Sequence, residues 1–203
     1  IRPIALIIKM SIETMIRYED QKMRMLRRRT KEECLLEMIL TDEAPDPGRL
    51  RGLMKELGYR TDVPRTAVLC RTVKSGRQAV LSLMKSSPLY RKDDILLLPG
   101  EEYILLFKSG ISAPSPGQHT AILKEHQLLA GEYLQWISDH LSPRDMVCSF
   151  YAGTLQNTPL QYHAAYMHCK WLEKHTDGPG RIVSFYDHIG EYTAQCIPFR
   201  ELQ

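Results

Sequence analysis

Two adjacent glutamates, Glu101 and Glu102, lie in the short segment Pro99-Gly100-Glu101-Glu102-Tyr103, between apolar runs at 94–98 and 103–108. Paired carboxylates at a tight turn suit a divalent cation bridged to phosphate, provided that more carboxylates converge from a neighbouring strand. The strand-like stretch that could supply them, Val68-Leu69-Cys70-Arg71-Thr72-Val73-Lys74, contains no acid. Pro99 also fixes φ and adds a ring at the start of this segment. The pair is therefore expected to be polar turn chemistry, and no catalytic residue, metal or cofactor is assigned to it.

Other reactive side chains fall into equally ordinary patterns. Lys74-Ser75-Gly76-Arg77 precedes a helical stretch and could offer N–H groups to an anion, but it lacks phosphate-loop spacing. His163, His168, Cys169 and His175 share one helix, yet spacings of five and seven between the histidines do not stack ligands on one face. Tyr162, Ala165, Tyr166, Cys169 and Leu172 read instead as that helix's packing face. Cys70 and Cys148 have no identifiable base and read as small buried apolar groups. Arg27-Arg28-Arg29 could touch phosphate, but three consecutive helical positions point in different directions, as on a solvated face.

These residues need a scaffold, and its elements are readable from periodicity. From Pro3 to about residue 40 there is no further proline and no glycine, so one long helix or two nearly continuous ones are expected. Ile8, Ile12, Met15, Ile16, Met23 and Leu26 form a stripe that dissolves at the arginine run, and Leu35, Leu36, Ile39 and Leu40 resume it, which argues for two segments with different jobs. After a loop at 42–48, a short helix is framed by Asp46 as N-cap, Pro47 at the first helical position and Gly58 at the stop. Strands are expected at 66–73, 94–98, 103–108, 146–151 and 182–186, and helices at 78–86, 120–141 and from Thr158-Pro159 to about 175. The 94–98 and 103–108 strands should form an antiparallel hairpin, and loops are expected at 109–117 and 177–180. Alternating helices and strands give an α/β layer architecture.

The bulk properties agree with an ordinary globular chain: 203 residues, 43% hydrophobic, 25% charged and a net charge of +3. Five scattered cysteines, none in a CxxC pair, suggest neither a disulfide framework nor zinc, and a reducing cytoplasm is the expected setting. The apolar start at 4–10 is too short for a membrane span. A non-Met start and a stop after Phe199-Arg200-Glu201-Leu202-Gln203 suggest a piece of a longer protein.

The order of elements, with a hairpin between the first two helices of the sheet region, resembles the GGDEF domain of diguanylate cyclases. Pro99-Gly100-Glu101-Glu102-Tyr103 stands where that family has Gly, Gly, Asp or Glu, Glu and Phe, and Ser149-Phe150-Tyr151-Ala152-Gly153 is similar to a later strand ending in glycine. Over nearly the whole chain the resemblance is closer to the sugar diacid regulators (CdaR) and PucR-type activators. It is carried by Ile4-Ala5-Leu6-Ile7-Ile8-Lys9-Met10-Ser11-Ile12-Glu13, by Lys31-Glu32-Glu33-Cys34-Leu35-Leu36-Glu37-Met38-Ile39-Leu40 and by Val183-Ser184-Phe185-Tyr186-Asp187-His188-Ile189-Gly190-Glu191-Tyr192. The resemblance implies a sensory-domain end and linker or dimerisation helix at 1–41, a connecting loop and short helix at 42–65, and a degenerate GGDEF-like (nucleotidyl-cyclase-like) domain with a C-terminal linker at 66–203. It implies a homodimeric, non-enzymatic signal-coupling region of a transcription regulator, with effector and DNA bound by an N-terminal domain and a helix-turn-helix outside this chain, and no membrane. A nucleotide-binding or cyclase-like signalling domain, and an interaction scaffold, are the alternative readings.

Overall fold

A computed structural model describes residues 2–41, 44–110, 119–142, 146–176 and 178–196, with the backbone alone at 2–9 and 119. The 1–41 region forms one uninterrupted helix, α1 (Arg2–Thr41), with Pro3 in its first turn. Of the two expectations, one long helix or two nearly continuous ones, the first holds, and the helix lies in two environments: side chains from Met10 to Thr30 are exposed, whereas Leu35, Met38 and Ile39 are buried. The weakening of the apolar stripe marks this change of surroundings, since helix continuity depends only on residue propensity and on the absence of breakers.

α2 (Pro47–Leu57) begins and ends as its local signals dictate. The Asp46 side chain accepts from the Arg49 N–H at 2.6 Å, and Gly58 takes the left-handed conformation at φ 80°. Leu50, Met54 and Leu57 are buried and Leu53 is half-buried.

The body is a five-stranded mixed sheet of β1 (Arg65–Thr72), β2 (Ile95–Leu97), β3 (Tyr103–Ser109), β4 (Cys148–Gln156) and β5 (Ile182–Ser184), in the order β2-β3-β1-β4-β5. All pairs are antiparallel except β4 with β5. β1 and β2 flank β3, and β3 and β4 flank β1, so two split β-α-β units interleave. Their crossovers are α3 (Arg77–Ser86) and α4 (His119–Leu141).

Alternation along the strands sorts the core into two layers. Val68, Cys70, Ile104, Leu106, Cys148 and Phe150 pack beneath α3 and α4. Ala67, Leu69, Leu105, Phe107 and Tyr151 pack on the other face, against α2, the end of α1 and α5 (Tyr162–His175). On α4 the covering face is Ile122, His126, Tyr133, Leu134, Ile137 and Leu141, while Leu128 is exposed.

Two elements depart from expectation. β4 continues through Gly153 to Gln156 instead of ending there. Between Val68↔Ala152 and Thr66↔Leu155, β4 carries one residue more than β1, so the strand bulges at this point. A Cβ on Gly153 would lie 2.5 Å from the Ala165 carbonyl oxygen and 2.8 Å from Cys169 Sγ, so the glycine serves close packing of α5 on the sheet. Beyond β5 the chain turns at Phe185–Asp187 and forms a further helix, α6 (Ile189–Cys196), within the stretch expected to be a linker. α6 is held by Tyr192, edge-on to Trp171 at 5.4 Å and to Phe185 at 5.0 Å. Residues 42–43, 111–118, 177 and 197–203, within the predicted loops and tail, lie outside the described residues.

Candidate functional site

The signature-like turn closes the β2–β3 hairpin, with Ile95 opposite Phe107 and Leu97 opposite Leu105. Pro99 and Gly100 make its tip. Gly100 sits at φ 117°, a conformation that an L residue rarely adopts, and its N–H bonds the Leu98 carbonyl at 2.9 Å. The tip is tied to the 74–77 segment: Lys74 pairs with Glu101, and the Arg77 guanidinium donates to the Gly100 carbonyl. Lys74–Gly76 forms one 3-10 turn leading into α3. The basic residues of this turn therefore face the hairpin that the sequence leaves unconnected to them.

Glu101 and Glu102 are exposed. Glu102 acts through its backbone, where its carbonyl accepts from the Thr72 N–H at 2.9 Å. Tyr103 is half-buried and turns its hydroxyl to Glu173 Oε1 at 2.7 Å, while the Lys170 ammonium lies 4.8 Å from its ring centre. That hydrogen bond, with burial second, pushes the Tyr103 phenol up to about 12. Arg71 approaches Glu173 at 3.9 Å. A shallow cavity of about 530 Å³ opens here, lined by Arg71, Thr72, Glu102, Ser149, Tyr151 and Glu173 among others. Its acids come from the hairpin and α5, and β1 contributes the basic Arg71. Among the described residues no group of three or more His, Cys, Asp or Glu could hold a metal ion.

The histidines and cysteines of α5 are dispersed into separate contacts. His163 bonds the Ile39 carbonyl at 2.9 Å, which clamps α1 to α5. His168 meets Thr154 Oγ1 at 2.9 Å and stacks on Phe185, and burial pushes its pKa down. Cys169 is buried, with its thiol directed at the Ala67 carbonyl, and burial pushes it up to about 12. His175 bonds the Trp171 carbonyl. Tyr162, Ala165, Cys169 and Leu172 are buried and Tyr166 is half-buried. Cys70 and Cys148 are buried neighbours under α4; the Cys70 thiol's hydrogen bond is the main cause that lowers Cys148 to about 7, and Cys70 itself is pushed well up. The groups acting on Cys148 are a thiol and the Thr72 hydroxyl, neither of them a base.

Sequence reasoning missed a buried ion pair. The Lys108 ammonium lies 2.7 Å from Asp94 Oδ2 and 2.8 Å from the Leu89 carbonyl, and 5.0 Å from the centre of the Tyr133 ring. The Asp94 carboxylate also accepts from the Ser109 N–H at 2.7 Å, the Ser109 hydroxyl at 2.6 Å and the Arg91 N–H at 2.8 Å. Burial pushes Lys108 down. The network fixes the start of β2 to the end of β3. One signal was available: Lys108 continues the inward-facing series Ile104, Leu106.

The second large feature is a cleft of about 780 Å³ at the β2 edge of the sheet, between α1 and α3. The α1 wall carries Arg28, Arg29, Glu32, Glu33 and Leu36, and the α3 wall carries Arg77, Gln78, Leu81 and Lys85. Arg28 and Arg29 pair with Glu32 and Glu33, each at 3.0 Å.

On the protruding part of α1, Ile12, Met15, Ile16, Met23 and Leu26 are between 49% and 69% exposed, so this apolar row has no cover among the described residues. The side chain of Ile8, the sixth member of the expected stripe, lies outside the described residues. No helix among the described residues is long and apolar enough to cross a membrane. Neither a protein-family model nor a curated protein matches this chain, so its fold and site geometry stand without a family assignment.

Proposed function

We propose that this chain is the central, non-catalytic dimerisation and signal-coupling region of a bacterial carbohydrate-diacid-type transcription regulator acting in the cytoplasm. In this reading the α/β body is a GGDEF-like domain that has lost catalysis. Its effector is bound by a sensory domain preceding α1, and DNA is contacted by a helix-turn-helix following α6.

One observation carries the reading: α1 is anchored at its end through Leu35, Met38 and Ile39, while some twenty preceding residues present an apolar row that no described residue covers. Single exposed apolar residues are ordinary, but a row at spacings of three, four and seven along one helix fits a two-fold helix pairing. The lack of an acid on β1 and the engagement of Glu101 by Lys74 support the loss of catalysis.

Sedimentation equilibrium tests the dimer. Dimers are expected at tens of micromolar, dissociating when Ile16 and Met23 are both replaced by Glu. A strictly monomeric protein at high concentration, with the preceding domain attached, would refute it. In the intact regulator, Ile16→Gly should weaken the effector response while DNA binding persists. Saturable GTP–Mg²⁺ binding that vanishes in Glu101→Gln would favour a nucleotide-binding domain instead.

A further inference from the structure

We propose that the cleft between α1 and α3 binds a small organic anion with an apolar body, the anionic group meeting Lys85 and Arg77 and the body lying between Leu36 and Leu81. The volume, about 780 Å³, is that of a small-molecule site. Its floor is β2, the end strand of the sheet, whose outer edge pairs with no other strand among the described residues. The floor therefore offers backbone donors and acceptors beside the Leu96 and Leu98 side chains.

Charge selects the ligand. The α1 wall is balanced, because Arg28 and Arg29 are matched by Glu32 and Glu33. The α3 wall is not balanced. Arg77, Leu81 and Lys85 recur at i, i+4 and i+8 on one helix face. Arg77 donates to a neutral carbonyl, and Lys85 has no partner among the described residues. Two positive charges are thus left beside the apolar side chains Leu36, Leu81, Leu96 and Leu98, an arrangement that favours an anion attached to a hydrophobic body. The half-buried Tyr90 hydroxyl lines the same cleft without a hydrogen-bond partner among the described residues, and it supplies a neutral donor. A ligand there touches both the linker helix and the α/β body, so its occupancy would favour one seating of α1 over others.

The site does not rest on the dimer reading, and sedimentation of the same samples reports on that reading separately. The test is a fluorescence titration of the whole chain with 8-anilinonaphthalene-1-sulfonate, a flat apolar anion. Saturable binding to one site per chain is expected. Lys85→Glu should weaken it about tenfold, since the reversal places a like charge at the anion. Gln78→Trp, an exposed position at the rim, should block it, and Met15→Asp on the distant apolar row should leave it intact. Displacement by phenyl phosphate but not benzoate would assign a phosphate ester as the natural class; the reverse would assign a carboxylate. No dye binding, binding indifferent to Lys85→Glu and Gln78→Trp, loss in Met15→Asp, or displacement by neither competitor would overturn the proposal.

Discussion

Replacing Asp94 by Ala removes the acceptor on which four donors converge, and its cost can be worked from their geometry. Asp94 is 1% and Lys108 3% exposed, so neither is solvated in the folded state. Without the carboxylate, the Lys108 ammonium keeps only the Leu89 carbonyl and the face of Tyr133. Breaking a buried pair by deleting one partner costs about 3–5 kcal/mol. The Ser109 N–H and hydroxyl and the Arg91 N–H are stranded as well, at about 1–3 kcal/mol for a buried donor left unpaired. These losses overlap, because water entering the space relieves several at once, and the expected total is about 4–6 kcal/mol. That is a large part of the roughly 5–15 kcal/mol that holds a domain folded. The converse substitution is milder: in Lys108→Met the carboxylate retains three hydrogen-bond donors, and about 2 kcal/mol is expected. Urea denaturation followed by circular dichroism measures both, with an unchanged m-value as the check on the comparison. A loss below about 1.5 kcal/mol in Asp94→Ala, or a larger loss in Lys108→Met than in Asp94→Ala, would show that the network is not the anchor described.

Three further outcomes are expected. Gly153→Ala should lower the thermal midpoint by several degrees in a melting experiment, because its Cβ has no room beneath Ala165 and Cys169. Glu101→Gln should change stability by less than about 1 kcal/mol in the same urea assay, since it breaks only an exposed pair with Lys74. His168 is held below its unfolded value of 6.5 by burial, so below pH 6.5 the unfolded chain binds more protons at this site; its contribution is complete above pH 6.5 and is lost as pH falls toward the depressed value. Stability measured from pH 7 to 5 should therefore decline, and less steeply in His168→Phe.

Signals that act within a few residues were readable in advance. Asp46, Pro47 and Gly58 framed α2 because capping is satisfied inside one turn of chain. The hairpin emerged from two apolar runs about a glycine turn, and β1, α3 and α4 from periodicity alone. What sequence reading missed depends on partners far along the chain. Gly153 resembles a strand end until α5 is seen pressed against it, and α6 is easily overlooked because it docks through Tyr192 onto Trp171 and Phe185. The cleft could not have been anticipated at all, since its walls come from residues 28–36 and 77–85 and meet only across the β2 edge. The signature-like turn was placed correctly as a hairpin tip, but its attachment to Lys74 and Arg77 is a tertiary contact without a local signal.

The continuity of α1 has a mechanical consequence. Forty helical residues span about 60 Å, and among their described side chains about the last ten grip the described part of the body. With a free arm of about 45 Å turning about a short fulcrum, a tilt of about 10° sweeps the far end through about 8 Å. An adjustment at Leu35 and Met38 smaller than one side chain thus becomes, at the other end, a displacement wider than a helix's own turn. Angular gain of this kind is a property of length and stiffness, and a glycine placed midway along the arm would weaken the helix there by about 1 kcal/mol.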